Sequence, residues 1–388
     1  MNVNDLFPAA GTHRSIYCDK CSTHLELAFF DFSELVSGVS IDVAGLPQLK
    51  CPSCESTFLP DRSRFALIET HRQAFERKST AVNVVRKKTS QDFGFTKVPF
   101  LYDSDDYHYI PGLTREHDPG FLTPVFFNKE ALLKYDSHPS YQVHFASSTY
   151  GTIRKEDFDI AFGINRNGKL VMWLGDVATL PESEQFYLRS ENIPSDHSIG
   201  SEFYDGQIEC KFTDKTPEDQ LFEQRSRFLD AFFAKFGEKA AHLDKEVLDL
   251  AISIRRPVVD TTPERRHIAD ALNKVYLESL DNKALGRSME SQGQSPGGLG
   301  SLKRLEKILE FALPGENAPQ IISPLFVLYD LRVAYSHLGS TEGQAEMLGK
   351  VASRLRLPST EASDLFTIYD ALIAQLKQAF EKLAVSLR

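Results

Sequence analysis

The sequence contains no run of about 18 apolar residues, so no segment reads as a membrane-spanning helix. Its start, MNVNDLFPAAGTHRS, lacks the basic flank and apolar stretch of a secretory signal. A cytoplasmic protein with no membrane partner is expected. There is no phosphate-binding glycine fingerprint, no serine nucleophile elbow and no internal repeat. Cysteine is scarce, five in 388 residues. In a reducing compartment structural disulfides are rare, which leaves Cys18, Cys21, Cys51, Cys54 and Cys210 to be metal ligands, reactive thiols or small core residues. A net charge of -10 excludes a surface coated all over for nucleic acid, though not a local basic face.

What is present is an ordinary globular composition, 41% hydrophobic and 25% charged, in a chain too long for one core. Two or three domains are expected. Residues 93–213 are rich in aromatic and β-branched types, with a hairpin expected in DFDIAFGINRNGKLVMWLGD, turning at Asn167-Gly168. After Lys211 the period becomes helical. Thr216 and Pro217 open a helix that Gly237 closes, and further helices are expected near 243–255, 263–281, 300–312, 324–338, 341–355 and 360–386. The stretch GRSMESQGQSPGGLGS reads as a mobile loop among them.

CDKC and CPSC each place two thiols two residues apart, a spacing that lets both sulfurs of a tight turn converge on one ion. Together they complete the tetrahedral shell that Zn2+ favours. Four Cys ligands leave no open position for water, which points to a structural zinc. The 29 residues between the pairs imply added β structure or an insertion. The pattern resembles the zinc-ribbon class, which implies a nucleic acid or a protein as partner. His13 and His24 lie near enough to replace a Cys ligand, but with four Cys present a surface position is expected for both.

Between Asp61 and Ser90 there are eight Lys/Arg and three Asp/Glu, a surplus of five positive charges. Arg72, Arg77, Lys78, Arg86, Lys87 and Lys88 are candidate phosphate contacts, or else a solvated helix and linker. The next block, LYDSDDYHY, has the opposite sign. Asp103, Asp105 and Asp106 there read as a surface loop, lacking the glycine and distal Glu of a calcium loop.

PLFVLYDLRVAYSHLG reads as a buried helix carrying Arg332 and His337 near its end. RVAYSH resembles the R-x4-6-H signature of HEPN-type domains, small helical bundles that often act as metal-independent ribonucleases in bacterial toxins and antiviral defence. The resemblance implies RNA, more readily than DNA, as the partner. His337 would move the proton from the 2′-hydroxyl, Arg332 would stabilise charge on phosphorus, and a second copy in a homodimer would supply the other acid or base. The plain alternative is an Arg paired to a carboxylate and a His held by the helix dipole. The same spacing recurs at Arg64 and His71.

A competing nuclease reading comes from Glu209 and Lys211, flanking Cys210 on an expected strand. This resembles the E-x-K element of restriction-endonuclease-like folds and implies Mg2+-dependent DNA cleavage, with Cys210 as a small core residue. A third reading is a non-enzymatic adaptor. The expected fold is α+β and multidomain: a zinc ribbon over 1–62, a basic helix and linker over 63–92, a mixed α/β domain over 93–213 and a helical HEPN-like domain over 214–388.

Overall fold

The structure is a computed structural model that describes residues 1–8, 14–88, 90–242, 244–336 and 340–388. The chain is of the α+β class and divides into two compact units, Met1–Asp214 and Lys215–Arg388. No helix among the described residues is long and apolar enough to cross a membrane.

The first unit begins with a long antiparallel hairpin, β1 (Glu26–Val36) and β2 (Val39–Lys50). Its two-residue turn, Ser37-Gly38, has both φ angles positive, the twist that suits the right-handed coil of the strands. This hairpin fills the interval between the two cysteine pairs. β2 also takes β3 (Thr57–Phe58) antiparallel and, after α1 (Asp61–Glu76), β4 (Ala81–Val85) parallel. The residues read as a basic helix and linker are thus a βαβ crossover. α1 lays Leu67 and Ala74 over Val39, Ile41, Val43 and Leu46 of β2. Each fully buried aliphatic side chain here contributes about 1.5–3 kcal/mol.

A short helix, α2 (Ser104–Tyr109), precedes the second sheet. That sheet is antiparallel throughout, ordered β10 (Asn192–Ile193), β5 (Pro124–Phe127), β9 (Leu170–Trp173), β8 (Phe158–Ile164), β7 (Tyr150–Lys155), β6 (Gln142–Phe145). The expected β8–β9 hairpin is present, with Gly168 at φ 74°. Helices α3 (Leu132–Ser137), α4 (Leu174–Thr179), α5 (Glu182–Ser190) and α6 (Glu202–Gln207) flank it. Ile16 and Leu27 share a core with Tyr107, Trp173, Phe203 and Tyr204, so the cysteine-bearing segment packs on the middle region.

The second unit is helical: α7 (Pro217–Phe236), α8 (Asp244–Ser253), α9 (Thr262–Asn273), α10 (Asn282–Ser291), α11 (Ser301–Ala312), α12 (Ala318–Ile321), α13 (Ser323–Ser336), α14 (Thr341–Leu355) and α15 (Leu365–Ser386). α9 runs into a π-helical turn, Lys274–Glu278. Thr216 caps α7 by accepting the Asp219 N–H, and Gly237 ends it in the left-handed region. α10 corrects the expected mobile loop. Asp281 caps it, Leu285 and Met289 are buried, and Gly286 leaves room for Arg304, whose Nη1 would lie 2.8 Å from a Cβ there. Only the part after Gln292 is irregular.

Candidate metal centre and ligand cavity

Pairing of Glu26 with Lys50 at the open end of the β1–β2 hairpin sets residues 18–25 beside 51–57. The two cysteine turns are built alike. Cys18 N–H donates to Thr23 O (2.8 Å) and Ser22 N–H to Cys18 O (2.9 Å), while Cys51 N–H donates to Ser56 O (2.8 Å) and Glu55 N–H to Cys51 O (3.0 Å). Ser22 and Glu55 both take the left-handed conformation that closes the turn. All four Sγ atoms lie within 4.8 Å of one another, with 3.5 Å between Cys18 and Cys54 and between Cys21 and Cys51. Sulfurs about 2.3 Å from a tetrahedral zinc would be about 3.8 Å apart, so the cluster fits a four-thiolate ion.

Cys18 and Cys51 are buried with Leu25 and Leu49, whereas Cys21 and Cys54 face solvent. Hydrogen bonding with the Thr23 side chain and backbone lowers the Cys21 pKa, and hydrogen bonding with Ser56 draws Cys54 down to about 6. Burial pushes Cys51 up to about 11. His24 is not among the ligands. Its Nε2 lies 2.8 Å from Asp205 Oδ1, which also accepts from Tyr17 (2.5 Å). His13 lies outside the described residues.

The basic stretch is largely neutralised within the unit. Arg72 bridges Glu69 and Glu76 along α1, Arg86 pairs with Asp105, and Lys88 pairs with Asp103 at 2.5 Å. Arg77, Lys78 and Lys87 have no carboxylate partner among the described residues. The acidic block is correspondingly not a surface loop. Asp103 caps α2, and Asp103, Asp105 and Asp106 are all buried. Asp106, fully sealed, accepts from Ser195 (2.6 Å) and lies 2.7 Å from His197 Nδ1. Burial raises the pKa of Asp106. Burial alone would lower that of His197, but the bond to and charge of Asp106 outweigh it and raise it.

The Arg86–Asp105 pair lines a cavity of about 310 Å³. β2, β4 and α1 give it an apolar side through Val43, Leu46, Val84 and Leu67, and Ser63 Oγ ties α1 to β2 by donating to Pro47 O (2.7 Å). The polar side carries Arg62, Arg86, Lys87, Gln91, Asp105, His108 and Tyr109. The Arg62 and Arg86 guanidinium groups lie 5.6 and 5.5 Å from the Tyr109 ring centroid. Asp105 is 3% exposed, and its Oδ2 has no partner, nor has His108 Nδ1. His108 Nε2 lies 2.9 Å from Gln91 Oε1, so the proton sits on Nε2 and Nδ1 is an acceptor. Burial, then the charge of Arg62, lower the His108 pKa and keep the ring neutral. Each unpaired buried acceptor costs about 1–3 kcal/mol.

The strand expected for Glu209 and Lys211 is not formed. Both follow α6, and Cys210, at φ 52°, turns the chain between them. Glu209 accepts from Tyr204 (3.5 Å), whereas Lys211 Nζ sits 3.6 Å from the Tyr17 ring centroid. Cys210 is exposed and not a core residue. In the second unit, Arg332 on α13 is held by Glu278, by Asp270 (3.3 Å) and by Asn273 (3.2 Å), all from α9 and its π-turn. His337 lies outside the described residues.

No family model, curated protein or solved structure matches the chain. The HEPN resemblance therefore rests on the spacing of Arg332 and His337. The cavity residues Arg62, His108 and Tyr109 escaped the sequence reading, and Asp105 was read as part of a surface loop. The signal was the adjacency of a basic block and an acidic, aromatic one, which here pair with each other around a void.

Proposed function

We propose that this chain is a zinc-stabilised binding protein whose first unit captures a small anionic ligand in the cavity beside α1. The observation that carries the reading is a cavity lined by three cations, Arg62, Arg86 and Lys87, against one acid, Asp105. Asp105 engages Arg86, which leaves Arg62 and Lys87 to meet an anion, while the β2 and α1 side chains receive an apolar body. Cys18, Cys21, Cys51 and Cys54 would hold a structural Zn2+, which supplies a rigid cross-link with no open coordination position. That cross-link fixes the end of β2, the strand that forms the cavity floor. Such a thiolate site suits a reducing, cytoplasmic setting.

Titration calorimetry of the full chain with inorganic pyrophosphate tests the reading. Charge-assisted hydrogen bonds are worth about 1.5–3 kcal/mol each, so Arg62→Gln and Lys87→Gln should each weaken binding about 10- to 100-fold. Equal binding by wild type and both variants would sink it.

A second reading, metal-independent RNA cleavage, rests on the partial exposure of Arg332. Its side chain is 37% exposed in a polar niche with Asp270, Asn273 and Glu278. RNA phosphate would have to displace carboxylates from the guanidinium, and His337 would act as the acid or base. Cleavage in EDTA that is lost in Arg332→Ala and His337→Ala, in protein shown to remain folded, supports it. No cleavage of any RNA removes it.

A further inference from the structure

The first sheet guards one of its edges and leaves the other bare. β1 forms one edge, and three devices close it: a register shift between Phe30 and Phe32, where Asp31 Oδ1 accepts the Gly45 N–H (2.9 Å), the Leu27 N–H donated to His197 O (3.2 Å), and Leu35 O taken by Met1 N (2.9 Å). β4 forms the other edge. It pairs with β2 alone, in unbroken parallel register from Ser40 beside Ala81 to Ala44 beside Val85. Ser40 N–H donates to Thr80 O (2.9 Å) and Arg86 N–H to Ala44 O (3.3 Å). Thr80, Val82, Val84 and Arg86 therefore bond to β2, while the N–H and C=O groups of Ala81, Asn83 and Val85 point away from it. Among the described residues only Ser79 Oγ, donating to Ala81 O (2.7 Å), reaches any of these outward groups. The strand has no proline, bulge or charge of its own; Ala81 and Asn83 are exposed, and Val85 is 77% exposed. Cations stand at both of its ends. Arg77 and Lys78 precede it and Lys87 follows it, all exposed and without a carboxylate partner among the described residues. In the stretch of β2 that it pairs with, one acid, Asp42, lies beside Asn83 and is engaged by Ser33.

We infer that β4 takes an added strand from a partner protein, an extended segment that is uncharged in its middle and acidic at its two ends. Main-chain hydrogen bonds to Ala81, Asn83 and Val85 hold the segment, and Val85 gives its middle an apolar neighbour. Its end carboxylates meet Arg77 and Lys78 on one side and Lys87 on the other, while its uncharged middle passes Asp42 without repulsion. The five residues of β4 span about 17 Å, so a segment of about nine residues covers the strand and reaches both groups of cations. A bare ladder edge recognises peptide backbone, which favours a peptide over a nucleic acid drawn to the same cations. The edge is a second site beside the cavity, with which it shares Lys87.

The test is fluorescence anisotropy of the full chain with a labelled nonapeptide, Glu-Glu-Val-Thr-Val-Thr-Val-Glu-Glu, whose sequence is the same in either strand direction. It should bind about 10-fold or more tightly than the same peptide with Lys in place of Glu, or with its central amides N-methylated. Arg77→Glu combined with Lys78→Glu should weaken binding by about 10-fold. Asn83→Pro removes an N–H that the β2–β4 ladder does not use, and should weaken binding with an unchanged circular dichroism spectrum. Amide exchange followed by NMR should show new protection at Ala81, Asn83 and Val85 on addition of the peptide, and none added at Val82 and Val84, which already bond to β2. No binding of the nonapeptide, or equal binding of its acidic, basic and N-methylated forms, would overturn the inference. Binding that leaves exchange at Ala81, Asn83 and Val85 unchanged would overturn it as well. A single-stranded oligoribonucleotide that binds where the peptide does not would also overturn it and assign the cations to nucleic acid.

Discussion

Substitution Cys51→Ser removes one of four thiols from a turn with little else to hold it. Cys51 is fully buried, and beneath the four sulfurs only Leu25, Leu49 and part of Phe58 form an apolar floor. Structural zinc is worth about 10–16 kcal/mol in small four-ligand modules. Forfeiting roughly a quarter of that, about 2.5–4 kcal/mol, corresponds to a fall in zinc affinity of about 70- to 700-fold. Native mass spectrometry should find one zinc per wild-type chain, one in the exposed-thiol control Cys210→Ser, and a chelator-labile or missing ion in Cys51→Ser. Hydrogen exchange supplies the structural readout. The amides of Cys18, Ser22, Cys51 and Glu55, bonded at 2.8–3.0 Å within the two turns, should lose protection in the variant, while those pairing β7 with β8 keep theirs. Full zinc occupancy in Cys51→Ser, or zinc-free wild type with unchanged protection in the turns, would refute the assignment of the ion as the module's cross-link.

His197, whose folded pKa is raised, contributes stability that is full below its unfolded value of about 6.5 and lost as pH climbs through the folded value. Asp106, Asp103 and Lys88 surround it, and the melting-temperature gap between wild type and His197→Gln should therefore narrow from pH 6 to pH 9. A constant gap would contradict the pairing. Gly163→Ala would set a Cβ 2.6 Å from Phe203 Cβ, forcing that ring off Trp173 at a cost of about 1–3 kcal/mol, readable as a lower urea midpoint. If Arg332 is only a surface tether from α13 to α9, Arg332→Ala should lower stability by about 1 kcal/mol or less with no effect on any RNA.

Some of this was legible in the residues. Cysteine spacing states its chemistry locally, and the Thr216-Pro217 start and Gly237 stop of α7 depend on neighbours a few positions away. The β8–β9 turn was legible for the same reason. Partner choice across the chain was not. Arg86 and Lys88 look like phosphate contacts until Asp105 and Asp103, 19 and 15 residues on, fold against them. Asp106 reads as a surface acid because its partners, Ser195 and His197, are about ninety positions distant. α10 was hidden for another reason: Gly286 lowers helix propensity, and its use is a close approach by Arg304 that no local pattern reveals. Glu209 and Lys211 alternate like strand residues, yet the left-handed Cys210 breaks that alternation.

The central claim is that the cavity beside α1 is a binding site for an anion. A crystal structure of the full chain grown with inorganic pyrophosphate puts it to the test. Density is expected within the cavity, with phosphate oxygens in hydrogen-bond reach of Arg62 and Lys87. An empty cavity at saturating pyrophosphate, or pyrophosphate bound elsewhere on the chain, would contradict it.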